Sequence, residues 1–545
     1  MGNKTEVLQN TKRAFIYWQP NFSFTMKIKK TLSSINTDFR WILGTSLLFL
    51  IIIVLFFRFS ISYNEMDVIP YAKALFNNDW LKNDWYLSLK IPYRYFFSYP
   101  VGFFVDTFGF ANTIIVGRII SYILIAIALN ALIRSLKVKS NNYLFYFALI
   151  LFFIIFPSGY GANEWMAGGL ETKVFAYGFA ILSLSSFLNK QNNKGFLFAG
   201  LALSFHLLVG LYNLFCLIPV LWLHQSENRN YLIGLFKSLP IFIIAGSVGI
   251  YGILYQLSLP QDNLNNIGWD IYVNIRVPHH TLPSMFPIEI WIKFIIFALL
   301  NLFFFIKSKN KEVRMLSSYA IFSVIISLIG LLFFLIWGAD HHLKYYFFRF
   351  GSIMLPLISF LNIISFTIGK SEHILSKNHN KIKYTFMALS FTIMLPAMYF
   401  FISDYAIART NRELLGTTSP DIAMADWIKQ NTPKSKVFIT KPNDMFFYLN
   451  YERPVFVTSK HAPQSGKDIV EWYNRLKALN GGKDFENGDQ LDRNFPTLSE
   501  EELLGISAAY PNVAYVLMPQ SVNLDFPVLF KSKINTLYEI RKPED

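Results

Sequence analysis

One cysteine, Cys216, is all that the 545 residues contain. A lone thiol excludes an intramolecular disulfide framework and any multi-cysteine zinc or iron–sulfur centre. Charge is scarce as well: Asp, Glu, Lys and Arg make up 16% of the chain, against about a quarter in ordinary soluble domains. The tail carries no glycine-rich phosphate loop, so no nucleotide cofactor is expected. A cleavable secretory signal is missing too, because residues 1–40 are polar and basic and the apolar run after them has no small-residue cleavage site. That run, Trp41–Ser60, reads instead as a signal anchor.

What fills the chain is apolar and aromatic. Hydrophobic residues make up 53% of it, with 55 Phe and 29 Tyr, set in long runs rather than in alternating strands. The fold class this implies is a mainly α polytopic membrane protein. Apolar segments suited to a bilayer run over 41–60, 112–133, 143–157, 174–189, 195–208, 209–223, 233–257, 288–306, 315–337, 349–369 and 384–403, eleven in all. Lys and Arg number 50 against 35 Asp and Glu, an excess that in a soluble protein would suggest nucleic acid. Here the basic residues gather between alternate spans, at Lys27/Lys29/Lys30/Arg40, Arg134/Lys137/Lys139, Lys190/Lys194, Arg229/Lys237, Lys307/Lys309/Lys311/Arg314 and Lys370/Lys377/Lys381/Lys383. The positive-inside rule accounts for them. It places segment 1–40 in the cytoplasm, the chain in the cell (inner) membrane, and the C-terminus outside; no nucleic-acid partner is expected.

Residues 195–223 leave from Lys194 and must return by Arg229. Each arm is only about 21 Å long at 1.5 Å per residue, so the turn at His206–Gly210 is expected below the membrane surface, beside a cavity. The expected organisation is a membrane domain over 41–403, with a large first outer loop at 61–111, followed by a small α/β domain over 404–545 outside the membrane. In that tail, helices are expected at Asp421–Gln430, Asp468–Leu479 and Glu500–Ala509. Strands are expected at Val437–Thr440, Pro454–Thr458, Val513–Met518 and Leu537–Arg541.

The first outer loop opens Asn64-Glu65-Met66-Asp67-Val68-Ile69-Pro70-Tyr71-Ala72-Lys73-Ala74-Leu75-Phe76, followed by Asn78-Asp79-Trp80-Leu81-Lys82-Asn83-Asp84-Trp85. Two acids thus stand at the membrane surface ahead of amphipathic, Trp-bearing helices suited to the interface. A first span, an acid directly after it and this helix, with Val116-Gly117-Arg118 early in the second span, resemble the GT-C superfamily of integral-membrane glycosyltransferases. The segment Trp427–Trp472 is similar to the tail of bacterial proteins of this type. The resemblance implies a polyprenyl-phosphate-linked sugar donor, a membrane-lipid environment, and a glycan, lipid or protein acceptor on the outer face. It implies Asp67 as the catalytic base, with Glu65 beside it as metal ligand or orienting group. The alternative for both acids is a solvated helix start.

Sugar transfer needs a base for the acceptor proton and cations for the departing phosphate. Arg349, opening the tenth span, takes by position the place that the superfamily gives a phosphate-gripping cation. Arg276 with His279 and His280, and His341 and His342 with Lys344, form two further groups in two outer loops and are expected to bind the donor. Glu164 and His206 are expected on the acceptor side. A divalent cation is left open by these residues, and no metal set is assigned. The competing classes are a transporter or flippase for a lipid-linked glycan, and a non-catalytic envelope protein that binds one.

Overall fold

The computed structural model describes residues 22–138, 142–225, 229–370, 378–410 and 421–541. Segment 1–21, Lys139, Lys377 and residues 411–420 of the tail lie outside the described residues. Seven described helices are long and apolar enough to cross a membrane: Phe39–Phe56, Pro92–Ser135, Leu207–His224, Ile288–Lys307, Lys311–Trp337, Arg349–Lys370 and His379–Thr410. Their outward faces carry exposed Ile, Leu and Phe, among them Phe215, Ile295, Leu335 and Phe400, as lipid contact demands. The protein is a mainly helical, polytopic membrane protein with a small C-terminal sheet.

Every expected apolar segment is helical, yet several are not single straight spans. The segment 233–257 is two helices, Ile233–Ala245 and Ser247–Ser258, bent by 71°, and counted together they make an eighth span. The segments at 143–157 and 174–189 are the short apolar helices Asn142–Ile155 and Thr172–Leu188. The expected hairpin is Asn192–Phe205 followed by Leu207–Gln225, broken at the single extended residue His206 (φ −151°, ψ 112°). A side chain at Gly210 would collide with the Leu203 backbone, which is how closely the two arms pack. The helix Tyr95–Ser135 is likewise interrupted, at Gly109 (φ 80°, ψ 169°), a conformation that only glycine takes without strain. Gly109 therefore divides it into two helical arms.

In the tail, four strands form a sheet of order β1-β2-β4-β3, with β1 Val437–Ile439, β2 Val513–Pro519, β3 Val528–Lys531 and β4 Asn535–Glu539. β1 runs parallel to β2, and the remaining pairs are antiparallel. The expected strand at Pro454–Thr458 is reduced to one bridge, Val455 to Phe438. β3 was not expected; its exposed, mixed pattern is that of an edge strand.

The tail does not stand apart from the membrane helices. Tyr71, Leu81, Tyr86 and Ile91 share one apolar core with Met424, Ile428, Phe438 and Phe447, and Tyr272 and Val277 share another with Trp472 and Val516. Asp84 ties the first loop to the tail: its carboxylate accepts from Leu87 N, Val455 N and the Tyr448 hydroxyl at 2.9–3.0 Å. Gly268 meets Gly466 backbone to backbone, where any side chain would clash.

Candidate active site

The helix Glu65–Phe76 begins directly after the first span and carries both loop acids in its first turn. Two residues along a helix turn the direction of a side chain by about 200°, so Glu65 and Asp67 face different surroundings. Glu65 is wholly enclosed. Its oxygens accept from Arg118 Nε at 2.7 Å, from Arg118 Nη2, from Leu170 N at 2.6 Å and from Ser62 N at 2.8 Å. Arg118 also donates to the carbonyls of Arg58 and Ser60, which close the end of the first span. Gly117 lets Leu170 come this near, since a Cβ there would overlap the Leu170 side chain.

Every lone pair on the Glu65 carboxylate is engaged, and the pair fixes three chain segments to one another. Removing one charge leaves the other buried without its partner, at a cost of about 3–5 kcal/mol. Arg118→Met is therefore expected to lower the thermal midpoint of the detergent-purified protein sharply. Glu65→Leu combined with Arg118→Met is expected to recover most of that loss. Equal losses in both proteins would contradict the anchor role.

Asp67 is half-buried and differently held. Arg94 grips it with both guanidinium nitrogens, Nη1 to Oδ1 at 3.3 Å and Nη2 to Oδ2 at 3.2 Å, and the Tyr86 hydroxyl donates to Oδ1. Burial would raise its pKa, but Arg94, His461, Tyr86 and Lys460 outweigh burial and bring it down to about 2. Oδ1 thus accepts two bonds and Oδ2 one, leaving Oδ2 with acceptor capacity to spare. Tyr93-Arg94-Tyr95 precedes the second span in sequence, a cation beside an apolar run that could have signalled the partner.

A loop of the tail, Thr458–His461, lies over this helix. Pro70 sits inside the helix and has no N–H, so the carbonyl of Met66 four residues earlier is left without its helical donor. His461 Nε2 takes that place at 2.9 Å. The His461 ring lies between Tyr86 and Tyr448, at 5.1 and 5.0 Å, and burial lowers its pKa to about 4, so it is neutral. Lys460 donates to the Asn64 side-chain oxygen, and Arg276 Nη2 donates to the Lys460 carbonyl at 3.1 Å. Sequence reasoning missed Lys460 and His461, whose contacts span 395–396 residues.

From Asn64 a polar chain runs to Arg349. Asn64 Nδ2 donates to Glu171 Oε2 at 3.0 Å. Lys173 Nζ stands 3.6 Å from both Glu171 and Glu164, over the Trp165 ring, and Arg349 pairs with Glu164. Glu164 is buried, yet Arg349 and Lys173 hold its carboxyl below the ordinary glutamate range. Arg349 also lies 4.7 Å over the Tyr346 ring. His280 bonds the Ala162 carbonyl at 2.7 Å, and burial followed by Arg349 lowers its pKa to about 2. His279, against the His280 ring, is lowered by burial and by Arg276. His206 caps its own break, accepting from Val209 N.

Ion pairs, hydrogen bonds and ring contacts link Asp67 with Arg94, and Lys460 through Asn64 with Glu171, Lys173, Glu164 and Arg349. Arg276 joins at the Lys460 carbonyl, His279 and His280 join beside Tyr346, and His206 lies within charge range of Glu164. His341, His342 and Lys344 are not brought in; they gather around Asp270 and Asp340. Arg94, Lys173, Arg276, Arg349 and Lys460 face Asp67, Glu164 and Glu171, five cations against three carboxylates. Arg276 and Lys460 have no carboxylate partner among the described residues, and Arg276 Nε and Arg349 Nε are buried without an acceptor.

Beside this cluster opens an apolar cavity of about 1220 Å³, lined by Phe97, Phe104, Val116, Leu170, Phe175 and Phe205 among others. Leu170 is the residue whose N–H holds Glu65, Phe205 precedes His206, and Tyr95, also in the lining, follows Arg94. Among the described residues no charged one lines the cavity, but three of its lining residues adjoin Arg94, Glu65 and His206 in this way.

A family model described as a domain of unknown function (DUF6798) matches residues 419–479, the stretch of the tail that carries Lys460 and His461. No curated protein gives a significant sequence match. Among solved structures the chain is similar to ArnT from Cupriavidus metallidurans, with 11% identity over 93% of this chain and 98% of that one and a TM-score of 0.47. It is also similar to the Archaeoglobus fulgidus oligosaccharyltransferase tethered to an acceptor peptide, with 12% identity over 88% and 69% of the two chains and a TM-score of 0.49.

Proposed function

We propose that this protein is an integral-membrane glycosyltransferase that moves a sugar from a polyprenyl-phosphate-linked donor to an acceptor on the extracytoplasmic face. The observation that carries this reading is a juxtaposition. An ionised carboxylate with a free lone pair and two cations without carboxylate partners among the described residues lie near an open apolar cavity, whose lining residues Tyr95 and Leu170 adjoin Arg94 and Glu65. Buried excess charge is costly without a counterion; the phosphodiester of such a donor supplies one negative charge, and the phosphate that leaves carries a second. An isoprenoid tail suits the Phe-lined cavity.

In this reading the donor phosphate sits among Arg276, Lys460, Lys173 and Arg349, with its chain in the cavity. The acceptor hydroxyl attacks the anomeric carbon as the bond from that carbon to the phosphate oxygen breaks. The phosphate leaves with the bonding electrons, which the cations stabilise, and Asp67 Oδ2 takes the acceptor proton. A carboxylate with a pKa near 2 is a weak base, but it suffices. The attacking oxygen becomes strongly acidic once its new bond to carbon is largely formed, so the proton moves late. Glu65, fully engaged with Arg118, sets the position of the Asp67 helix, and Glu164 orients Arg349. The sign of the charges between spans supports a cytoplasmic N-terminus and a site on the outer face.

The phosphate dependence of binding tests this reading. Purified protein is expected to bind a polyprenyl phosphate about 10–100-fold more tightly than the matching polyprenol, the worth of charge-assisted contacts to one anion. Equal affinity for the two would contradict a phosphate site at the cations.

A further inference from the structure

The histidine pair that stands away from the candidate active site has its own geometry. Asp340, His341 and His342 form the turn that follows the span Lys311–Trp337 and precedes the Arg349 helix. Both histidines aim Nδ1 at a single carboxylate oxygen: His341 at 2.7 Å and His342 at 2.6 Å from Asp340 Oδ1. His341 Nδ1 also stands 3.5 Å from Asp270 Oδ1. That nitrogen is buried and makes no hydrogen bond despite its approach to Asp340. The other ring is set by stacking on Trp337 at 5.0 Å. Asp340 is anchored by the backbone N–H of His342 at 3.0 Å, and Asp270 by that of His341 at 2.6 Å.

We propose that Asp270, Asp340, His341 and His342 bind one divalent transition-metal ion of the zinc class. Two imidazole nitrogens and two carboxylates are a borderline donor set that favours such ions over magnesium or calcium, which take oxygen-only shells. Ligand atoms around a tetrahedral zinc with bonds of about 2.0 Å lie about 3.3 Å apart. The spacings of 2.6, 2.7 and 3.5 Å come within several tenths of an ångström of that arrangement. The ion supplies the partner that His341 Nδ1 lacks. Lys344 opposes binding through its charge, but its Nζ is held 4.7 Å over the Trp269 ring. Asp270 and His342 are partly exposed, which gives the ion a way in.

The site is structural, and it is independent of the transferase reading. Asp270 ends the helix Asn263–Ile271, which packs through Gly268 on the tail helix Gly466–Ala478. Arg276 lies six residues beyond Asp270, and Arg349 lies seven beyond His342. Between them the Tyr272 and Tyr346 hydroxyls bond at 2.7 Å. An ion joining Asp270 to the Asp340–His342 turn locks the two segments that carry Arg276 and Arg349.

Metal content measured on full-length protein, purified without a histidine tag, loaded with zinc and dialysed, tests the proposal. About one equivalent is expected in the wild type and almost none in the His341→Ala/His342→Ala protein. Cobalt loading is expected to give visible ligand-field bands in the wild type alone. Should the double variant fail to fold, Asp270→Asn removes one partly exposed ligand and is expected to weaken zinc binding at least about tenfold. Wild-type protein that retains no zinc, or zinc that persists undiminished in these variants, would overturn the proposal.

Discussion

Asp67→Asn protein is expected to bind the donor about as well as wild type and to transfer sugar about 10²–10⁴ times more slowly, the usual worth of a positioned general base. The asparagine keeps the shape of the side chain and, through Oδ1, the bonds from Tyr86 and Arg94 Nη1; it gives up the acceptor for Arg94 Nη2 and cannot take up the acceptor proton. A merely structural role for Asp67 would show as lost expression or a lower thermal midpoint with residual turnover unchanged per folded molecule.

The pH profile adds a second readout of the same carboxylate. Arg94 and the other groups around Asp67 hold its pKa near 2, so wild-type kcat/KM should show no acid limb from Asp67 between pH 5 and 8. Arg94→Met removes the charge that lowers it most, and burial then dominates. The folded-state pKa rises, the base is protonated at higher pH, and an acid limb is expected to move up into the measurable range.

The second large effect belongs to the tail. Burial, then the Arg276 charge, lowers the Lys460 pKa to about 8. Its ammonium is therefore present below pH 8 and lost above it. Wild-type kcat/KM, which reports the free enzyme, is expected to fall on the alkaline side with a midpoint near that value. Lys460→Arg should abolish this limb, because a guanidinium stays charged. Lys460→Met should raise the donor KM about 10–100-fold, the cost of losing one charge-assisted contact, and leave it insensitive to alkali. An alkaline limb that persists in Lys460→Met would mean that another group titrates there.

The apolar segments were legible because an uninterrupted run of twenty apolar residues has few places to go except a bilayer or a core. Their breaks were less so: Gly246 and Gly109 bend or interrupt helices at positions where composition alone predicts continuity. In the loop, the two acids were visible, and helical geometry already separates their directions. Which of them would be enclosed depended on Arg118, a lone arginine in an apolar run. The resemblance had picked it out, but its partner was not read.

Lys460 and His461 were not legible at all. Nothing in Thr458-Ser459-Lys460-His461 marks it as a loop of the candidate site, and its place is set by the shared core of Tyr71, Phe438 and Phe447 and by the Met66 carbonyl that Pro70 leaves free. The tail was expected as a small α/β domain, and its helices and strands largely are where periodicity puts them. Its continuity with the first loop follows from residues such as Asp84, whose partners Tyr448 and Val455 are 364 and 371 positions away.

The most direct test of the transferase reading is the fate of a labelled donor. Purified protein in lipid nanodiscs would be given a panel of polyprenyl-phosphate-linked sugars, radiolabelled in the sugar, with a membrane extract as acceptor source. The expected result is that one donor is consumed, that free polyprenyl phosphate and labelled acceptor appear in equal amounts, and that Asp67→Asn protein binds that donor without consuming it. A donor that binds tightly to wild type and stays intact would contradict catalysis and leave a glycan-lipid-binding protein.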